Sequence, residues 1–464
     1  MQTVVRSVRS IFPFSLRFAG IVGISVLFGV LCLILPVSVV LGVCVVLILA
    51  LTVLIYPFFG ILGIVLLDYV RITHFVPALA VIHPNLIMAI WVLLSWALHV
   101  SLFRKTKVFL CPQVFLLGAL ILIMTLSFFE AMHRVAALNQ LRSFAGYAIL
   151  CFLISQTVNT PRRVRAFLLV FLATNAILAV IAFPKLFFQY DVVVETTLGL
   201  GDFLGDGNDF ALALNVAIPL AFFLLWAGKS LKMRAFAFGI LLMLVANVVL
   251  SGSRGGTVAL ASIGVFSLVK VRKRVLSLIV VIVFVGGILA LAPTRYFDRM
   301  ATIRGYEQDA SAQGRIFAWK AGVEMALDHP LVGVGPGNFS ESYRMIYRPP
   351  LARVRSAIAA HSVYFQILGE LGFPGILCLL LFVFFNLRDN RRIRKNLVGK
   401  EDDFSRLAHT TSLALDVSLI AFLVGGTFLS AAYYPHFYVI TGMIAALRNT
   451  AQNSAGTNEK VGGE

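Results

Sequence analysis

Charge is what this sequence has least of. Only 13% of its 464 residues are Asp, Glu, Lys or Arg, while 59% are hydrophobic, giving a mean hydropathy of +0.93. A water-soluble domain carries about 25% charged residues, so that class is excluded. Cysteine is also sparse. Cys32, Cys44, Cys111, Cys151 and Cys378 all fall in or at the edge of apolar runs, and no pair has metal-ligand spacing. Neither a disulfide framework nor a metal site is suggested. The alternating segments of about ten residues that build an outer-membrane barrel are missing, and no internal repeat is found.

In their place stand solid apolar runs, each long enough to cross a hydrocarbon core of about 30 Å. The runs cover 16–35, 37–56, 57–69, 84–100, 109–127, 138–157, 164–183, 208–227, 234–252, 256–270, 275–293, 361–386, 409–430 and 434–448. They predict an all-α integral membrane protein of about 12–14 transmembrane helices with one large periplasmic loop containing short helices. The first run is too long for the apolar core of a signal peptide and is expected to be retained as a helix. The expected organisation is an N-terminal bundle over 1–293 with an outer loop at 184–207, the large loop at 294–360, C-terminal helices over 361–448, and a disordered tail at 449–464.

Basic residues outnumber acidic ones 39 to 21. They cluster in short loops: RKTK (104–107), PRRVR (161–165), GKSLKMR (228–234), KVRKR (270–274) and RDNRRIRK (388–395). Alternating the spans puts all five on one side, with both termini, provided that the short segment 57–69, which reads as a span or a half-helix, crosses the membrane. Positive residues mark the cytoplasmic side, so the +18 charge reads as topology and no nucleic-acid partner is expected. The acidic loop 185–209, the large loop and the turn SGSRGG (251–256) then fall on the outer, periplasmic face.

Three residues on that face raise a chemical question. Arg254, inside SGSRGG, interrupts two apolar runs; a charge at mid-membrane costs about 2.5–3.5 kcal/mol on insertion scales. At the interface it is either a snorkelling cation or a ligand-binding one, and its flanking glycines, which permit close approach, favour the second. Arg315 in SAQGRIFAWKAG (311–322) opens an amphipathic helix expected over 314–330, where a cation conflicts with the macrodipole unless an anion binds there. His361 stands where the large loop re-enters the membrane, at the first turn of a long apolar helix. It reads either as an interfacial residue or as a base suited to neutral pH. Tyr364 and Glu370 follow it, and Gly372, Pro374 and Gly375 mark a kink. The glycines of DHPLVGVGPGNF (328–339) read as a tight turn or as a backbone anion nest; no GK[ST] accompanies them. Two arginines and a histidine on one face suit a lipid-linked anionic substrate, because guanidinium forks hold phosphate and imidazole activates a hydroxyl.

At SGSRGG, QGRIFAWKAG…HPLVGVGPGNF, HSVYFQILGELGFPG and FLGDGNDFALALNVAIPL (203–220), the sequence resembles the O-antigen ligase and polymerase superfamily of bacterial inner-membrane glycan-transfer proteins, including members linked to exosortase-type systems. The resemblance implies an all-helical glycosyltransferase that needs no metal or other cofactor. Its donor would be a glycan on undecaprenyl diphosphate, and its acceptor a lipid A–core sugar, a protein side chain or another lipid-linked glycan. It also implies roles. Arg254 and Arg315 would neutralise the diphosphate, and His361 would be the base in an inverting transfer. Arg142 would lie near the donor head group, and Asn208, Asp209 and Tyr364 would contact substrate, with an N-cap role open for Asn208. The ligase-like loop before the central span tilts the reading from polymerase to ligase. A transporter or flippase of lipid-linked sugars is the competing class; its support is Asp416, the clearest isolated intramembrane carboxylate. A non-catalytic partner in an envelope complex would leave the arginines and histidine unexplained.

Overall fold

A computed structural model of the chain describes residues 36–70, 84–102, 108–188, 204, 206–227, 230–270, 282, 286, 297, 310–349, 358–399 and 402–461. The expected span 16–35, nearly all of 275–293, and 189–203, 294–309 and 350–357 from the two outer loops lie outside the described residues, isolated positions apart. So do most of the basic loops 104–107 and 270–274.

Helices account for the described architecture, and no strand occurs among the described residues. They are α1 (Val37–Ile55), α2 (Pro57–Val70), α3 (Pro84–Ser101), α4 (Pro112–Ser127), α5 (Arg134–Thr157), α6 (Pro161–Phe188), α7 (Gly207–Ala227), α8 (Leu231–Leu250), α9 (Arg254–Lys270), α10 (Ala310–Asp328), α11 (Val363–Asn396), α12 (Asp403–Gly426) and α13 (Pro435–Val461). Nine helices among the described residues are long and apolar enough to cross a membrane, and α2 and α9 are shorter apolar ones. Five helices open on proline (Pro57, Pro84, Pro112, Pro161, Pro435). Proline's fixed φ suits the first turn, and its missing N–H would have had no helical partner there.

Burial ranks the helices. The span of α7 is 78% buried, that of α1 only 11%, so α7 is the axis of the bundle and α1 lies at its periphery. Around α7 pack α6, α8, α9 and α12. Two polar ties hold this centre: Ser418 Oγ donates to the Val216 carbonyl (2.8 Å) and Asn215 Nδ2 to that of Gly256 (2.9 Å). Without water to compete, such groups must be satisfied inside the bundle.

At one end, the far ends of α5, α11 and α13 meet the starts of α4, α6 and α12. Here Asp389 takes Arg448 (2.8 Å) and Gln113 (3.0 Å), and Arg394 pairs with Asp416 (2.8 Å), which also accepts from Asn390 (2.8 Å). Asp416 is therefore not the isolated carboxylate that its sequence context suggests. The described basic segments 161–165 and 388–395 lie at this end, the former through Arg165 Nη2 and the Asp403 carbonyl (3.5 Å). The starts of α7, α9, α11 and α13 gather at the other end.

Three boundaries depart from expectation. Helix α10 starts at Ala310 rather than near Gly314, because Ala310–Gln313 extend it upstream; Arg315 thus lies in its second turn. Helix α11 starts at Val363, so His361 precedes it. Helix α13 runs past Arg448 to Val461, where a disordered tail was expected. Asn449 and Thr450 tie it to α5 and the residue after it, through the carbonyls of Ser155 (3.0 Å) and Val158 (3.2 Å).

The expected kink of α11 is present, at Gly372 (φ 67). The segment 328–339 docks on it: Val334 N–H donates to Gly369 (3.0 Å), Gly335 N–H to Glu370 (3.1 Å), and Phe373 N–H to Pro330 (2.9 Å). Its glycines serve close backbone packing, as the tight-turn reading has it. A Cβ at Gly372 would stand 2.5 Å from the Pro330 carbonyl oxygen on a left-handed backbone. Gly372→Ala is expected to destabilise the protein by about 1–3 kcal/mol, read as a lower thermal midpoint in detergent; an unchanged midpoint contradicts the role given to this contact.

Candidate active site

Helices α7 and α9 begin side by side. Asp206 caps α7, its carboxylate accepting the N–H groups of Asn208 and Asp209 (both 2.8 Å). The N-cap role left open for Asn208 therefore belongs to Asp206. Asn208 Oδ1 instead accepts from Ser253 Oγ (2.8 Å), and the same Oγ accepts the Gly256 N–H (2.9 Å), capping α9. A Cβ on Gly256 would come within 2.6 Å of the Ala211 Cβ. That glycine is explained by helix–helix approach rather than by a ligand.

These two helix starts open onto a cavity of about 120 Å³. Its walls are Asn208 of α7, Ser253, Arg254 and Gly255 at the start of α9, Arg315 of α10, and Phe428 and Leu429 beyond α12. Two guanidinium groups thus face a space at which two helices begin. Helix starts carry partial positive charge and N–H donors, so the arrangement favours an anion over any neutral occupant.

Trp319 lies one turn beyond Arg315 on the same face of α10. Trp319 Nε1 donates to the Ala360 carbonyl (3.1 Å), and its ring stacks on Phe365 at 5.3 Å and 13°. Those partners bracket His361, so α10 holds Arg315 and the histidine segment together. His361 has φ 45, which a residue with a Cβ adopts at a cost. Its N–H donates to Ser430 Oγ (2.8 Å), fixing that geometry. Burial holds the imidazole below its ordinary value, the charge of Arg315 lowers it further, and Asp206 pulls it back up. The balance favours the neutral ring, the form that accepts a proton.

Of the residues read from the sequence, Arg254, Arg315 and Asn208 line one cavity, and His361 stands beside it within the field of Arg315. Asp209 accepts from the Tyr434 hydroxyl (3.3 Å), and the Tyr364 hydroxyl donates to the Leu423 carbonyl (2.8 Å). Neither lines the cavity. Arg142 is exposed on α5, also away from the cavity walls. Asp206, Ser253, Trp319 and Phe428 were missed. Ser253 and Asp206 carried a signal, an N-cap residue just ahead of a helix; Phe428 carried none.

The fold and this cavity define a multi-pass helical membrane protein with a basic site at one end of its bundle. The family model described as O-antigen ligase matches residues 238–380, from within α8 to the first half of α11. That stretch contains Arg254, Arg315 and His361, and the resemblance to the O-antigen ligase superfamily is borne out there. No curated protein matches the chain. The match, with the membrane-length helices, supports a membrane enzyme of O-antigen ligase or polymerase type.

Ser253→Ala removes a cap and the partner of Asn208 together. A loss of about 0.5–2 kcal/mol is expected, with Ser253→Thr retaining most of the stability. Equal thermal midpoints for wild type and Ser253→Ala contradict the bridging role.

Proposed function

We propose that this chain transfers a glycan from undecaprenyl diphosphate to an acceptor hydroxyl on the periplasmic face of the bacterial inner membrane, as an O-antigen ligase does. The observation that carries this reading is Arg254 and Arg315 in one small cavity at two helix starts, with His361 alongside. The end of the bundle bearing the basic segments is then cytoplasmic, with both termini.

In this reading the donor's diphosphate lies in the cavity. The arginines and the N–H groups at the start of α9 neutralise it, which is the work a metal ion does elsewhere, so no metal is required. Neutral His361 takes the proton of the acceptor hydroxyl. The oxygen attacks the anomeric carbon from the face opposite the diphosphate, with inversion. The carbon–oxygen bond to the phosphate breaks, and the lipid diphosphate leaves with the electron pair. Charge on that leaving group grows in the transition state, so cations placed there lower the barrier. Asn208, held by Ser253, orients a phosphate or sugar oxygen; Asp209 and Tyr364 position the walls through Tyr434 and Leu423; Arg142 meets the donor away from the reacting carbon. A lipid A–core sugar is the acceptor of the ligase reading, and a lipid-linked glycan on the same machinery would make it a polymerase. The transporter reading loses its support with the Arg394–Asp416 ion pair.

The test is transfer by purified protein from an undecaprenyl-diphosphate glycan in the presence of EDTA. His361→Ala is expected to lower the rate about 10²–10⁴-fold and Arg315→Ala about 10²–10³-fold, with the variants still folded. Donor bound tightly but never transferred by wild type, whichever acceptor is offered, would instead indicate transport. The pH profile gives a second check. A base whose value is lowered stays neutral, hence active, down to that value, so kcat/KM should fall with an acid limb below about 6.5. A limb above that contradicts His361 as the base.

A further inference from the structure

The end of the bundle farthest from His361 carries a second cavity, of about 270 Å³. Phe384, Leu387, Arg388, Arg391, Arg392 and Lys395 line it, all from the last third of α11. Their steps of three and four place them on one helix face. The order along that face matters: two apolar side chains come first, then four cations.

Depth in the membrane gives this order a meaning. Twenty residues of helix cover about 30 Å, the thickness of the hydrocarbon core. Counted from Val363, where α11 begins, the core ends next to Phe384. Phe384 is 57% exposed, a ring facing acyl chains, and the cations follow at head-group level and just beyond. Helical side chains tilt toward the helix start, so Arg391, Arg392 and Lys395 reach back toward the lipid phosphates.

The cations at this end are sorted. Arg394 and Arg448 turn inward to Asp416 and Asp389 (2.8 Å each). Arg388 is held by Asp389 (3.3 Å) and lies over the Phe385 ring at 4.3 Å. Arg391, Arg392 and Lys395 have no carboxylate within ion-pair distance among the described residues. Structural pairing explains the first group and leaves the second over a concave, half-apolar cleft.

We propose that this cleft binds an anionic phospholipid of the leaflet opposite the candidate active site, with Arg391 and Arg392 on its phosphate and Phe384 and Leu387 against its acyl chains. A soluble phosphate would gain nothing from the apolar half, whereas a lipid uses both. Basic pockets at this membrane level recognise anionic head groups through these same contacts.

The experiment uses the full chain in detergent, titrated with phosphatidylglycerol, with phosphatidylcholine, or with glycerol phosphate as a head group lacking chains. Bound lipid is counted by native mass spectrometry. Wild type should prefer phosphatidylglycerol by on the order of tenfold, and glycerol phosphate should not displace it. Arg391→Gln with Arg392→Gln should abolish the preference while the thermal midpoint in phosphatidylcholine stays that of wild type; the Lys/Lys counterpart should retain most of it. Equal binding of the two lipids by wild type overturns the proposal whatever the variants' stability. So does an unchanged preference in the Gln/Gln variant, and displacement by glycerol phosphate would assign the cleft to a soluble anion instead.

Discussion

The hydroxyl of Ser253 accepts the N–H of Gly256 and donates to Asn208, and the candidate site hangs on that one bridge. It starts α9 and locks that start to α7, the most buried span described. Arg254 is the next residue, so its backbone position follows from the cap. Across the cavity, Trp319 stands one turn beyond Arg315 on α10. Its bond to Ala360 and its stacking on Phe365 carry His361 to the same place. Three helices that start or pass at one end of the bundle thereby deliver two guanidinium groups and an imidazole.

At the end opposite the cavity, Asp389 and Asp416 pair with Arg448 and Arg394, tying α11, α12 and α13 together. Arginine thus ties helices together at one end of the bundle and lines the candidate site at the other.

Most helices were legible because membrane spans are solid apolar runs opened by proline or closed by basic loops; α2 to α9 fall within a few residues of their expected limits. What escaped was whatever depends on a partner distant in sequence. Asp416 looked isolated because Arg394, 22 positions earlier, lies in a stretch that reads as a topology signal. The end of α13 looked disordered because its polar letters gave no hint of α5. The glycines of 328–339 could not be told from an anion nest until the kink of α11 was seen beneath them. In the candidate site, Arg254, Arg315 and His361 were readable as charges out of place in an apolar chain. Ser253 and Asp206 carried only the general signal of an N-cap residue ahead of a helix, and Trp319 none, since the bridge to Asn208 or an indole hydrogen bond gains its meaning from the atom it meets.

The most direct measurement is a cryo-electron microscopy structure of the full chain with an undecaprenyl-diphosphate glycan bound. The account predicts diphosphate density in the cavity between Arg254 and Arg315, at the start of α9, with the anomeric carbon facing His361. Diphosphate seated away from both arginines, with that cavity empty, would contradict it.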